Sequence, residues 1–328
     1  MRVLRLHISR FKSIKALDLQ CRKVNVFIGP PDTGKSNILD ALSFLSHLGW
    51  AAPLGQSLRL TKDQGFEPLF FRQFFDQPIT IRIDEVEVSA SLQGTERRLE
   101  LKLSIPEIPP IRLNVGDQFS NGPAFLREIR FYAFAGVEPW TYHTGFFDGE
   151  RIITPPHGAN LIYIGRHNEA VYNLLKEQVA NIGWKLRFDQ QTKRFRLSEV
   201  RPDDIIDYNL EVLSDSIKRF FFYSATLVAS RDAVLVFDEP DVQAFPPYPK
   251  ELGRMIAEDE TNQFFLTTHN PYILAELAEK TPKDDLAIFY CRRGEEDGTQ
   301  ARLLHESEVA QIIDWGASTF FNLKKFDW

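Results

Sequence analysis

Residues 23–45 read KVNVFIGPPDTGKSNILDALSFL. Val24, Val26 and Ile28 alternate as β-formers and predict a buried strand. The octapeptide that follows, Gly29-Pro30-Pro31-Asp32-Thr33-Gly34-Lys35-Ser36, has the spacing G-x-x-x-x-G-K-S of a phosphate-binding loop. Ile38, Leu39, Leu42 and Leu45 then recur at helical spacing, so the loop opens onto the N-terminus of an amphipathic helix. Strand, loop and helix in this order are the context the motif needs. Gly29 and Gly34 let the backbone curl without a Cβ clash, and the N–H groups of the loop and first helical turn, along Gly29 through Asn37 with Pro30 and Pro31 contributing none, face phosphate oxygens. Lys35 places a point charge on those oxygens, and Ser36 offers a hydroxyl to Mg²⁺.

Outward from this stretch, 328 residues leave room for one large α/β domain or two smaller ones, with a full core in either case. The net charge of −6 neither supports nor excludes a nucleic-acid partner, since a local basic patch can hide in an acidic average. Cys21 and Cys291 stand far apart, with no companion at metal-ligand spacing, and read as reduced cysteines of a cytoplasmic protein. The opening MRVLRLHISRFKSIKALDL lacks the apolar centre of a secretory signal, and no apolar run approaches the ~18 residues of a membrane span. The expectation is a soluble protein without membrane contact. Phenylalanine is abundant, with runs at Phe70-Phe71, Phe74-Phe75 and Phe220-Phe221-Phe222; these read as core, the other reading being an exposed aromatic contact surface.

The chain divides into three parts. Residues 1–50 hold strand-like runs at Val3 to Ile8, Ala16 to Leu19 and Val24 to Ile28, then the loop and its helix. Residues 51–205 form a mixed insertion. It has a β-rich arm from Ile79 to Ile105 that turns at Gly94-Thr95 and is ended by Pro106, Pro109 and Pro110. A stretch without clear pattern from Ile111 to Thr154, a helix from His167 to Ile182 and a hairpin turning at Gln190 to Thr192 complete the insertion. Residues 206–328 return to alternating helices and strands: Ser214 to Ser230, Ala233 to Phe237, Tyr248 to Glu258, Gln263 to Leu266, Pro271 to Glu279 and Leu286 to Tyr290. The fold class is therefore α/β, a nucleotide-binding core split in sequence around an insertion.

Two strand ends carry chemistry. Ala233-Val-Leu-Val-Phe237 runs into Asp238-Glu239-Pro240. A carboxylate at the strand tip can hold Mg²⁺ and the next can orient and deprotonate an attacking water, which gives Asp238 the metal and Glu239 the base. The run Phe264-Phe-Leu-Thr-Thr-His269-Asn-Pro271 ends in a histidine, either a structural one or a contact to the γ-phosphate or the water.

A phosphate loop, Leu213-Ser214-Asp215 opening a helix, four apolar residues before Asp238-Glu239-Pro240, and Thr267-Thr268-His269-Asn270-Pro271, in that order, resemble the ABC-type ATPases of the RecF, SMC and OLD group, also filed as AAA-family ATPases. HISRFKSIKALDL is similar to the first strand and turn of that group. The resemblance implies the cofactors ATP and Mg²⁺, with Ser36, Asp238 and a Q-loop glutamine on the metal and Glu239 and His269 as catalytic residues. Gln73 best matches the glutamine, and Gln64 lies nearby. The resemblance also makes Ser214, Asp215 and Ser216 the signature that meets the γ-phosphate in the opposite subunit, with Asp241 as the D-loop residue at the seam. Two ATPs would then be sandwiched in a homodimer or higher oligomer, coupled to DNA or to a separately encoded nuclease or effector in DNA repair or anti-phage defence.

The chain departs from the group's pattern at Ser216, where glycine is usual, and after Pro240, where Asp241-Val-Gln243-Ala-Phe-Pro246 replaces an acid, a histidine and Leu-His-Pro. Too few residues follow His269 for the Toprim nuclease domain of OLD nucleases, and long heptads are missing. Glu295, Glu296 and Asp297 read as a solvated hairpin turn, and Arg127 to Arg130 and Lys193 to Arg196 as strand faces of alternating charge rather than DNA contacts. The alternative function is a nucleotide-gated scaffold that holds an effector subunit inactive with little turnover.

Overall fold

The computed structural model describes residues 2–50, 66–94, 98–114, 123–143 and 152–328. Gln64 and Thr95 lie outside them. The chain begins with β1 (Arg5–Phe11) and β2 (Ile14–Gln20), an antiparallel hairpin, followed by β3 (Val24–Ile28) and α1 (Lys35–Trp50). An antiparallel meander follows: β4 (Ile79–Ile83), β5 (Val86–Gln93), β6 (Arg98–Ile105) and β7 (Ile108–Asn114). Next come β8 (Ile129–Tyr132), α2 (Leu161–His167), α3 (Glu169–Asn181) and a small sheet of β9 (Lys185–Asp189), β10 (Arg194–Val200) and β11 (Ile205–Asn209). The last third alternates α4 (Asp215–Val228), β12 (Val234–Asp238), α5 (Pro247–Glu258), β13 (Gln263–Thr267), α6 (Pro271–Lys280), β14 (Leu286–Gly294), β15 (Gly298–Leu303) and α7 (Glu306–Trp315).

Twelve of these strands form one sheet in the order β7-β6-β5-β4-β1-β2-β15-β14-β3-β13-β12-β8. Its β14-β3-β13-β12-β8 end is parallel, and the remainder is antiparallel. Parallel strands are covered on both faces and so read as unbroken apolar runs, which is why VNVFI, VLVF and FFLT contain so little charge. Alternation still sorts their side chains. Val24, Val26 and Ile28 join the core that includes α4, α5 and α6, whereas Phe27 faces the core that includes α1. The phosphate loop thus emerges at the C-terminal end of a central strand, where such sheets bind ligands.

Two local readings are corrected. The prolines at 106, 109 and 110 do not end the β-rich arm: Pro109 and Pro110 lie within β7. That strand is outermost in the sheet, so missing N–H donors are tolerated, and the β6–β7 register shifts between Leu103 and Ile105. The helix expected from His167 begins at Glu169, because Asn168 leaves the helical region and its side chain accepts the N–H groups of Ala170 and Val171; α2 precedes it as a separate helix. The unpatterned stretch from Ile111 to Thr154 contains β8, fully buried beside β12. Glu295, Glu296 and Asp297 form the β14–β15 turn, as expected.

Candidate functional site

Gly29 and Gly34 adopt φ of +151° and +88°, and neither has room for a side chain. A Cβ on Gly29 would come within 2.2 Å of the Cys291 carbonyl oxygen, and one on Gly34 within 1.9 Å of Thr299 Oγ1 and 2.6 Å of Ser13 Oγ. The loop is therefore clamped by the β1–β2 turn and the β14–β15 hairpin. Asn37 donates to Ser13 Oγ at 2.6 Å, Ser13 and Thr299 share a hydroxyl contact of 2.6 Å, and the Thr299 N–H donates to the Ser13 carbonyl at 2.8 Å. Inside the loop, Lys35 Nζ donates to the carbonyls of Gly29 at 3.1 Å and Pro30 at 2.7 Å, and Thr33 donates to Pro30 at 2.9 Å. Burial pushes the Lys35 pKa down, while Cys291, Glu239, Asp238 and Asp32 pull it back up.

Beside the loop, Ser36 Oγ donates to Asp238 Oδ1 at 3.0 Å, the same oxygen that accepts Thr267 Oγ1 at 2.6 Å. The Glu239 N–H donates to Thr267 Oγ1 at 2.9 Å. Thr267, on the strand neighbouring Asp238, thereby ties the two carboxylate residues together, and Glu239 is held in the left-handed region at φ 46°. His269 Nε2 lies 3.7 Å from Glu239 Oε1, and both side chains are half-buried. Burial, then the Lys35 charge, lowers the His269 pKa against the pull of Asp238, which favours the neutral imidazole.

Ser13, Pro31, Asp32, Gly34, Lys35, Ser36, Asn37, Glu239, His269 and Arg293 line one cleft of about 540 Å³. The fit to a metal-bound triphosphate rests on chemistry: the nearest side-chain ligands, Ser36 and Asp238, are oxygen donors suited to Mg²⁺, and the loop leaves space only for backbone. Among the described residues no cluster of three or more His, Cys, Asp or Glu forms a metal site.

The other candidates lie apart. Ser214 caps α4, accepting the Ile217 N–H at 3.5 Å, while Asp215 pairs with Lys218 at 3.0 Å. Ser216, in the usual glycine position, accepts the Phe245 N–H at 2.6 Å. The extra hydroxyl thus anchors the segment that follows Pro240. None of the three lines the cleft of its own chain. Asp241 points inward at 6% exposure; Thr268 Oγ1 donates to its Oδ2 at 3.0 Å. Burial pushes its carboxyl up to about 7, against the Thr268 hydrogen bond and the Arg219 charge. Gln73 is exposed on a one-turn 3₁₀ segment and does not line the cleft. Sequence reading missed Ser13, Thr267, Thr299 and Arg293, which reach the site only through strand pairing; the one hint was the adjacency of Thr267 to His269.

Residues 187–275 match the family model described as "AAA domain, putative AbiEii toxin, Type IV TA system". Among solved structures, an SMC head bound to the C-terminal winged-helix domain of ScpA is similar at 14% identity, with a TM-score of 0.55, covering 94% of this chain and 99% of that one. An SMC head from Pyrococcus furiosus with an extended coiled coil, bound to the C-terminal domain of ScpA, is similar at 12% identity and a TM-score of 0.53, covering 95% and 98%. No curated protein matches the chain in sequence.

Proposed function

Because the chain has the ABC-type ATPase fold of the RecF and SMC group, we propose that it binds and hydrolyses ATP between two copies of itself and uses the cycle as a conformational switch. The observation that carries this reading is the chain of contacts Ser36–Asp238–Thr267–Glu239 in one cleft with Lys35 and His269. It joins a phosphate-binding loop to a positioned carboxylate base.

Lys35 and the loop N–H groups would hold the β- and γ-phosphates. Ser36 and Asp238 would hold Mg²⁺, which when bound neutralises charge on those phosphates. Glu239 orients a water and accepts its proton as the water oxygen bonds to the γ-phosphorus and the bond to the β-bridging oxygen breaks, leaving ADP and phosphate. His269, adjacent to Glu239, is poised to hydrogen-bond the γ-phosphate or the water.

A second copy would complete the site through Ser214 at the N-terminus of its α4, whose dipole favours an anion. Beside that terminus Val212 and Phe245 are exposed at 54% and 61%, apolar surface suited to a seam between chains. DNA, or a nuclease or effector in repair or anti-phage defence, is the proposed recipient of the switch. A second reading, a nucleotide-gated scaffold with little turnover, is favoured by Ser216, whose Cβ stands where close backbone approach would need glycine. Light scattering with and without ATP and Mg²⁺, alongside phosphate release, separates the two. Turnover with ATP-dependent dimers supports the switch; stable oligomers with negligible hydrolysis support the scaffold; a mass and a phosphate signal both indifferent to ATP overturn both.

A further inference from the structure

Arg292 and Arg293 are neighbours at the end of β14 with different employment. Arg292 donates to Gln300 at 3.0 Å, lies 3.4 Å from Asp327 and stacks 3.9 Å over the Trp328 ring. Arg293 is exposed and lines the nucleotide cleft, and among the described residues its side chain makes no hydrogen bond or ion pair. Its backbone is nonetheless well placed. It pairs with Thr299, whose N–H and hydroxyl contact Ser13, which in turn accepts Asn37 beside the loop. The other cation of the cleft, Lys35, already spans the loop carbonyls.

The sheet order says which end of a nucleotide Arg293 would meet. It enters from β14, on one side of β3, whereas Glu239 and His269 follow β12 and β13 on the other. With the attacked γ-phosphate beside Glu239, Arg293 faces the opposite end. We infer that Arg293 is a nucleotide-binding cation for the α-phosphate and nucleoside end of the ligand, setting affinity without taking part in hydrolysis. This rests on the reading of the cleft as an ATP site. A guanidinium is always charged and offers five donors, so a free one at the mouth of an anion cleft suits a phosphate or a base edge.

Calorimetric titration of the full chain with ATP, ADP and inorganic tripolyphosphate tests it, using wild type, Arg293→Ala, Arg293→Lys and Lys35→Ala. Arg293→Ala should weaken ATP and ADP alike by about tenfold or more, the value of a charge-assisted hydrogen bond; tripolyphosphate weakened to the same degree places the guanidinium on the α-phosphate, and tripolyphosphate within about twofold of wild type places it on the nucleoside. Arg293→Lys should restore part of the loss, with the unfolding midpoint of the free protein unchanged. Unaltered ATP and ADP affinity in Arg293→Ala, with binding abolished in Lys35→Ala, overturns the role of Arg293 alone. A loss confined to ATP and tripolyphosphate also overturns it, since it moves the side chain to the γ-phosphate. Wild type that binds none of the three ligands overturns the ATP reading itself.

Discussion

Glu239 combines a left-handed backbone, an N–H captured by Thr267 and a carboxylate facing the phosphate loop. Replacing Glu239 by Gln keeps shape and removes the base, so phosphate release should fall by about a hundredfold or more while ATP affinity stays near wild type. Equal turnover in the variant would assign the base elsewhere. Asp241 makes a different statement, about stability. Its carboxyl titrates near 7 in the folded chain against an ordinary value of 3.8. The folded state therefore keeps a proton that the unfolded state has released, and this residue makes stability fall as pH rises from about 4 to about 7, with no further change above. Asp241→Asn removes that contribution. Urea midpoints should be higher in the variant than in wild type near pH 8, and the gap should close near pH 5; a gap independent of pH would mean that the aspartate is already charged in the folded protein.

At the level of elements, the phosphate loop is a backbone shape enforced by its neighbours. Gly34→Ala would force a Cβ into Thr299 Oγ1 and Ser13 Oγ at a φ that side chains avoid. Nucleotide binding should be lost, with stability lowered by roughly 2 kcal/mol in urea unfolding. Adding Thr299→Ala relieves the nearer contact but not the backbone strain or the Ser13 contact, so binding should not recover fully. Gly29→Ala meets backbone, the Cys291 carbonyl, and should be the more disruptive of the two in the same unfolding assay. A Gly29→Ala protein as stable as wild type would mean that β3 and β14 can separate locally without cost.

For the whole molecule, the proposed sandwich requires the α4 N-terminus of one chain to reach the cleft of another. Ser214→Arg should therefore leave nucleotide binding intact and abolish the ATP-dependent doubling of mass that Glu239→Gln is expected to trap. Doubling that survives Ser214→Arg would place the seam elsewhere. Among the described residues no helix is long and apolar enough to cross a membrane. Among the described residues the phenylalanines fall mostly into the core: Phe70, Phe71 and Phe220 to Phe222 are buried, while Phe74, Phe245 and Phe321 remain exposed.

The primary sequence by itself determined the phosphate loop, its strand and helix, the acid pair at the end of β12 and the order of the last helices and strands. These are local or periodic signals: a glycine spacing, an apolar run, a recurrence at helical pitch. Only the tertiary structure decided that Ser13, Thr299 and Arg293 join the site, that Thr267 couples Asp238 to Glu239, and that Asp241 turns inward. Each depends on which strands lie side by side, a fact no short window of sequence contains. The same cause explains β7, where prolines that would break a central strand are harmless at the border of a sheet, and β8, whose four residues are too few for a pattern until β12 lies beside them.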